Sequence, residues 1–203
     1  MRELRKHPKA EALVFDLDGT LADSMPVFYL IWCELLEDYG VILTRDLFDE
    51  MAGMPMRQCT IMINQRFGID MDQEEVAHIV ETKLLSHLHL IQAIKPVCDL
   101  VHKYLGKIPM AIGTGSQREN ALKVLSLIGL DDCFDVVVAA EDVEEHKPSP
   151  DTFLKCAELM GVDPAVCQVF EDAQKGLDAA VNAGMIPTDV TAFYEVNIGV
   201  ELC

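Results

Sequence analysis

Ala12-Leu13-Val14-Phe15-Asp16-Leu17-Asp18-Gly19-Thr20 is the stretch from which the rest of this chain can be read. Four apolar residues stop abruptly at an acidic, glycine-containing loop, as a buried strand does when it feeds a polar turn. Three further short apolar runs, at 109–112, 136–139 and 166–170, alternate with amphipathic stretches of helical length. Alternating strand and helix predict an α/β fold, a doubly wound parallel sheet of Rossmann-like design.

The segment 24–92 breaks that rhythm. Its apolar residues recur at helical spacing, Phe28, Ile31, Leu35 and Leu36 among them, and it shows no run suited to a strand. A crossover in a doubly wound sheet is far shorter. The segment is therefore expected to be a helical cap inserted after the first strand, leaving a core of residues 1–23 and 93–203. Hinges are expected near 23–26 and 92–96, where Pro26 and Pro96 discourage continuous helix.

Open parallel sheets bind ligands outside the carboxyl ends of their strands, and four such ends are polar here. Alternation along a strand sends Asp16 and Asp18 to one side and Leu17 to the other, so two carboxylates face one site. Gly19 permits the sharp turn that follows. Gly113-Thr114-Gly115-Ser116 precedes a helix expected over 117–128, where backbone N–H groups and the Thr114 hydroxyl suit an anion. Ser116 also reads as a simple N-cap. In His146-Lys147-Pro148-Ser149-Pro150 the prolines hold a short loop that fixes Lys147. Glu171 and Asp172 add a second acidic pair at the same edge. Two acidic pairs so close repel each other unless a cation lies between them, which points to Mg2+ held by carboxylates, water and an anionic substrate.

Composition narrows the partners. Thirty-four acidic residues against 16 basic ones give −18 over 203 residues, a charge that repels nucleic acid and anionic lipid. No apolar run is long enough to span a bilayer, and residues 1–11 are charged, so a cytoplasmic protein, a monomer or weak dimer, is expected. Cys33, Cys59, Cys98, Cys133, Cys156, Cys167 and Cys203 show neither CxxC nor zinc spacing and are expected as reduced thiols. His87 and His89, two apart in a helical segment, are expected on different faces. Phe28, Tyr29 and Trp32 read as core or cap-interface residues, Glu141, Asp142, Glu144 and Glu145 as a solvated face. Residues 188–203 show no recognisable chemistry.

Taken in order, Asp16-x-Asp18-Gly19-Thr20, Thr114, Lys147 and Glu171-Asp172 resemble the four motifs of the haloacid dehalogenase superfamily. The cap after the first motif resembles the branch that holds beta-phosphoglucomutase and related sugar-phosphate phosphatases. The stretches 111–116 and 146–153 look most like the bacterial fructose-1-phosphate phosphatase type. The resemblance implies a magnesium-dependent phosphatase of small phosphate esters, sugar phosphates such as fructose 1-phosphate. It also implies roles. Asp16 attacks phosphorus; Asp18 protonates the leaving alcohol and then activates water. Asp16, the Asp18 backbone carbonyl and Asp172 hold the metal with Glu171 in support, and Thr114 and Lys147 hold phosphoryl oxygens. Gly115 and Ser116 are expected at the substrate. So is Arg57, which falls where this branch presents its specificity loop (53–57) and would bind a second phosphate or sugar hydroxyls. Mutases of this branch carry a histidine where Phe28 follows Ser24, so hydrolysis is expected ahead of the alternative, a sugar phosphomutase. A phospho-accepting receiver module is the reading from another class; its lack of a cap and its acceptor on a middle strand set it aside.

Overall fold

The computed structural model of the chain describes residues 3–52, 54–134 and 136–194. The chain opens with β1 (Ala12–Phe15) and a short β2 (Ala22–Asp23), then runs through α1 (Met25–Glu37), α2 (Arg45–Met51), α3 (Met56–Phe67) and α4 (Gln73–His87). It returns as β3 (Gln92–Ala93), antiparallel to β2. From there α5 (Lys95–Tyr104), β4 (Met110–Gly113), α6 (Arg118–Leu127), β5 (Val136–Val138), α7 (Asp151–Met160), β6 (Cys167–Glu171), α8 (Gln174–Asn182) and β7 (Ile186–Asp189) alternate.

Local chemistry sets these limits. A proline stands in the first turn of both α1 and α5, where its missing N–H costs nothing. Thr44 caps α2 by accepting from the Leu47 amide, and Asp72 caps α4 by accepting from Glu74 and Glu75. Gly68, at φ 66°, ends α3 in the left-handed conformation that only glycine adopts freely.

Among the described residues β5, β4, β1, β6 and β7 lie side by side in that order, every pairing parallel. β1 is central, and β1, β4 and β6 are buried at every position because helices cover both faces. Alternation divides their side chains. Leu13, Phe15, Ile112 and Phe170 join one core with Val97, Val101 and Leu125. Ala12, Val14, Ala111 and Val169 join the other with Phe153, Cys156 and Ala180. Phe15 stacks on Phe170 at 4.8 Å between ring centres, and each such fully buried side chain contributes about 1.5–3 kcal/mol. The first core continues through Ile31, Leu36, Val80 and Leu84 into the four helices.

The four expected strands are present, each within a residue or so of its expected limits. β7 was not expected: it carries Pro187, two of its four side chains are exposed and the other two half-buried, and a sheet edge tolerates both features. β3 was missed as well, because both of its residues are exposed and leave no apolar signal. The helix expected over 117–128 is one residue shorter at each end. His87 and His89 correct their expectation. The helix ends at His87 and tightens into a 3-10 turn, which brings the two rings to 6.5 Å in a stacked arrangement. Cys59, Cys98, Cys133, Cys156 and Cys167 are free thiols, whereas Cys33 is disulfide-bonded, against expectation. Cys203 lies outside the described residues. No helix among them is long and apolar enough to cross a membrane.

Candidate active site

The carboxyl ends of β1, β4 and β6 are adjacent, so the sheet itself assembles the polar residues. Asp16 follows β1 with its amide still bonded to the Phe170 carbonyl, and its carboxylate is buried. The loop before α7 delivers Lys147, also buried. Its Nζ donates to Asp16 Oδ1 at 2.6 Å and to Glu171 Oε1 at 2.8 Å, 4.7 Å from the centre of the Phe153 ring. Glu171 ends β6 and accepts the Ala173 amide on its other oxygen at 2.7 Å. Its carboxylate lies where a side chain on Gly176 would stand, which is why α8 carries a glycine there.

Asp172 accepts the Thr20 hydroxyl at 2.9 Å and packs against Gly19. Gly19 sits at φ 87°, and a Cβ on it would run into the Asp172 carboxylate, so two separate constraints demand glycine. The Tyr194 hydroxyl donates to the Gly19 carbonyl and so ties the far end of the described chain to this turn. Asp18 turns its carboxylate the other way. Ser24, at the entry to α1, donates to Oδ1 at 2.7 Å, and Ser116, beyond β4, donates to Oδ2 at 2.6 Å. Thr114 is buried, and its hydroxyl accepts the Ser116 amide at 3.0 Å.

Electrostatics follow from this burial. Burial pushes the Asp16 carboxyl well above its usual range despite the neighbouring Lys147. Burial likewise raises Asp18, opposed by the Ser116 and Ser24 hydroxyls, and raises Asp172 to about 7, reinforced by the Glu171 charge. Burial alone would lower Lys147; Asp16 and Glu171 overcome it and leave the ammonium more firmly protonated than in water. One ammonium cannot balance this many acidic groups. Oxygens of Asp16, Glu171 and Asp172 lie within 4.8 Å of one another, an all-oxygen donor set of the kind a hard cation takes. The Asp18 carboxylate is not in that cluster, so of the four expected metal residues it can contribute only through its backbone.

These groups line a cavity of about 770 Å³ whose opposite wall comes from the helices between β2 and β3. Asp16, Asp18, Thr114, Gly115, Ser116, Lys147, Glu171 and Asp172 all reach it, and so does Arg57 from α3. Arg57 is exposed and ion-paired with Glu74 of α4, a partner that sequence spacing does not reveal. Gly53, at the head of the expected specificity loop, lies outside the described residues. Phe28 and Trp32 line the cavity, while Tyr29 packs edge-on against Phe48. The first amide of α6, a donor that suited an anion, is taken by the Glu141 carboxylate.

Carboxylates, a lysine and a threonine gathered at the strand ends of a doubly wound sheet define an α/β enzyme. The chain belongs to the haloacid dehalogenase-like hydrolases, whose family model matches residues 13–189. It is 40% identical over 185 residues to the fructose-1-phosphate phosphatase YqaB of Escherichia coli (strain K12), covering 88% of this chain and 95% of that one. It is 27% identical to the beta-phosphoglucomutase of Bacillus subtilis (strain 168), over 89% and 85% of the two chains. Among solved structures, beta-phosphoglucomutase from Clostridium difficile superposes with a TM-score of 0.73 at 25% identity, over 89% and 84%.

Proposed function

We propose that this phosphatase is magnesium-dependent and hydrolyses sugar phosphates, fructose 1-phosphate foremost, through a phosphorylated Asp16. The observation that carries the proposal is the Lys147 ammonium fixed between Asp16 and Glu171 on the wall of a cavity that Asp18 also lines. Residues 1–23 and 93–203 form the catalytic core in this scheme, and 24–92 the cap.

Asp16 attacks phosphorus as the bond to the sugar oxygen breaks, and Asp18, whose raised pKa favours the protonated form, gives its proton to that oxygen. The Asp18 carboxylate then takes a proton from water, which attacks the aspartyl-phosphate and releases inorganic phosphate with Asp16 restored. Thr114 and Lys147 hold the phosphoryl oxygens, and Gly115 and Ser116 border them. Phosphoryl transfer depends chiefly on alignment and charge neutralisation, which these groups provide. Magnesium, held by Asp16 and Asp172 with the Asp18 backbone carbonyl and supported by Glu171, would supply further neutralisation of the phosphoryl charge. Arg57 contacts the sugar.

The kinship with beta-phosphoglucomutase sustains a second reading, transfer of phosphate within one sugar. Phosphate release from a panel including fructose 1-phosphate and beta-glucose 1-phosphate, with magnesium or EDTA, decides between the two. Magnesium-dependent release that Asp16→Asn abolishes is expected. Glucose 6-phosphate formed without net release would make the protein a mutase.

A further inference from the structure

Beyond the phosphate-handling groups, the cavity has a charge of its own. Among the described residues lining it, Lys147 and Arg57 carry the only full positive charges, and Lys147 is committed to Asp16 and Glu171. Arg57 shares that lining with four carboxylates on the cap side and its rim, Glu74, Glu81, Glu141 and Glu144, and is already paired with the first. The Arg118 guanidinium, at the start of α6, is not among the lining groups and donates to the Val137 carbonyl and Asp142. A second anionic group on the substrate would meet net negative charge and, among the described lining residues, no cation without an acidic partner.

Space is not the obstacle, since about 770 Å³ accommodates a sugar with two phosphates. We infer that the cap half of this cavity excludes a second phosphate electrostatically, so that the enzyme takes monophosphates of uncharged polyols and rejects bisphosphates. This rests on the phosphatase assignment and sharpens it. When a phospho-enzyme hands its phosphate to a sugar that still carries one, the sugar bears two phosphates in passing. A cavity that repels that species disfavours this route to transfer and leaves hydrolysis.

The test compares kcat/KM for a hexose monophosphate and the bisphosphate of the same sugar at fixed free magnesium, in low and in high salt. At low salt the monophosphate is expected to lead by about tenfold or more, and the gap narrows as salt screens the field. Glu81→Gln combined with Glu144→Gln should narrow it at least about threefold while monophosphate turnover holds, and should flatten the salt response. Equal use of both substrates at every salt concentration would overturn the inference. So would a preference that neither salt nor the paired substitution changes, because the exclusion would then be steric. Failure to release phosphate from any ester would instead remove the phosphatase assignment beneath it.

Discussion

The two walls of the cavity are built on opposite terms. On the sheet side the functional groups are buried or half-buried, each hydrogen-bonded to a partner distant in sequence: Lys147 to Asp16 and Glu171, Thr20 to Asp172, Ser116 to Asp18. On the cap side Arg57 and Glu74 meet in solvent. Exposed ion pairs contribute about 0–1 kcal/mol, whereas breaking a buried one costs about 3–5 kcal/mol because it leaves a charge stranded. Chemistry is thus fixed in the part that cannot rearrange, and substrate choice rests on contacts cheap enough to change.

Lys147→Met breaks the contrast most severely. It should lower kcat by roughly a thousandfold and cost about 3–5 kcal/mol in urea unfolding without metal, since Asp16 and Glu171 lose their shared counter-charge. A variant as stable and active as the parent would end the distinction between the walls. A subtler effect comes from Asp172, whose folded pKa of about 7 lies above its ordinary 3.8. Between these values the folded state binds the proton and the unfolded state does not. The contribution is complete below about pH 4 and is lost as pH rises through 7. In EDTA the urea midpoint should therefore fall from pH 5 to 8, with Asp172 contributing about 2–4 kcal/mol of the loss in stability, and Asp172→Asn should reduce that slope to the part left by Asp16 and Asp18. Saturating magnesium should flatten it too. The smallest effect belongs to the cap. Arg57→Gln should raise KM for sugar phosphates by about threefold to tenfold with kcat and stability nearly unchanged, consistent with an exposed pair.

The same division governs what the sequence discloses. Asp16, Thr114, Lys147 and Glu171 each follow or adjoin a short apolar run, so strand position and polar residue appear together in the chain. Helical periodicity likewise marks α1 to α4. Glu74 as the partner of Arg57, Glu141 over the first amide of α6 and Tyr194 against Gly19 depend on how helices and loops dock, and no spacing encodes them. β7 leaves little signal in the sequence because an edge strand needs only half of its side chains apolar and tolerates a proline such as Pro187. The stacking of His87 and His89 eluded a pattern based on 3.6 residues per turn because the helix stops between them.

The chain leaves for the four helices through β2 and returns through β3, and these two strands are hydrogen-bonded neighbours. To the five-stranded sheet, everything between them is one loop with its ends already joined. The penalty for closing such a loop grows only logarithmically with its length, about 0.6 kcal/mol for each doubling. Evolution can therefore exchange this stretch for a shorter, longer or differently folded one while every rung of the sheet stays in register, acquiring new substrates without redesigning the catalyst.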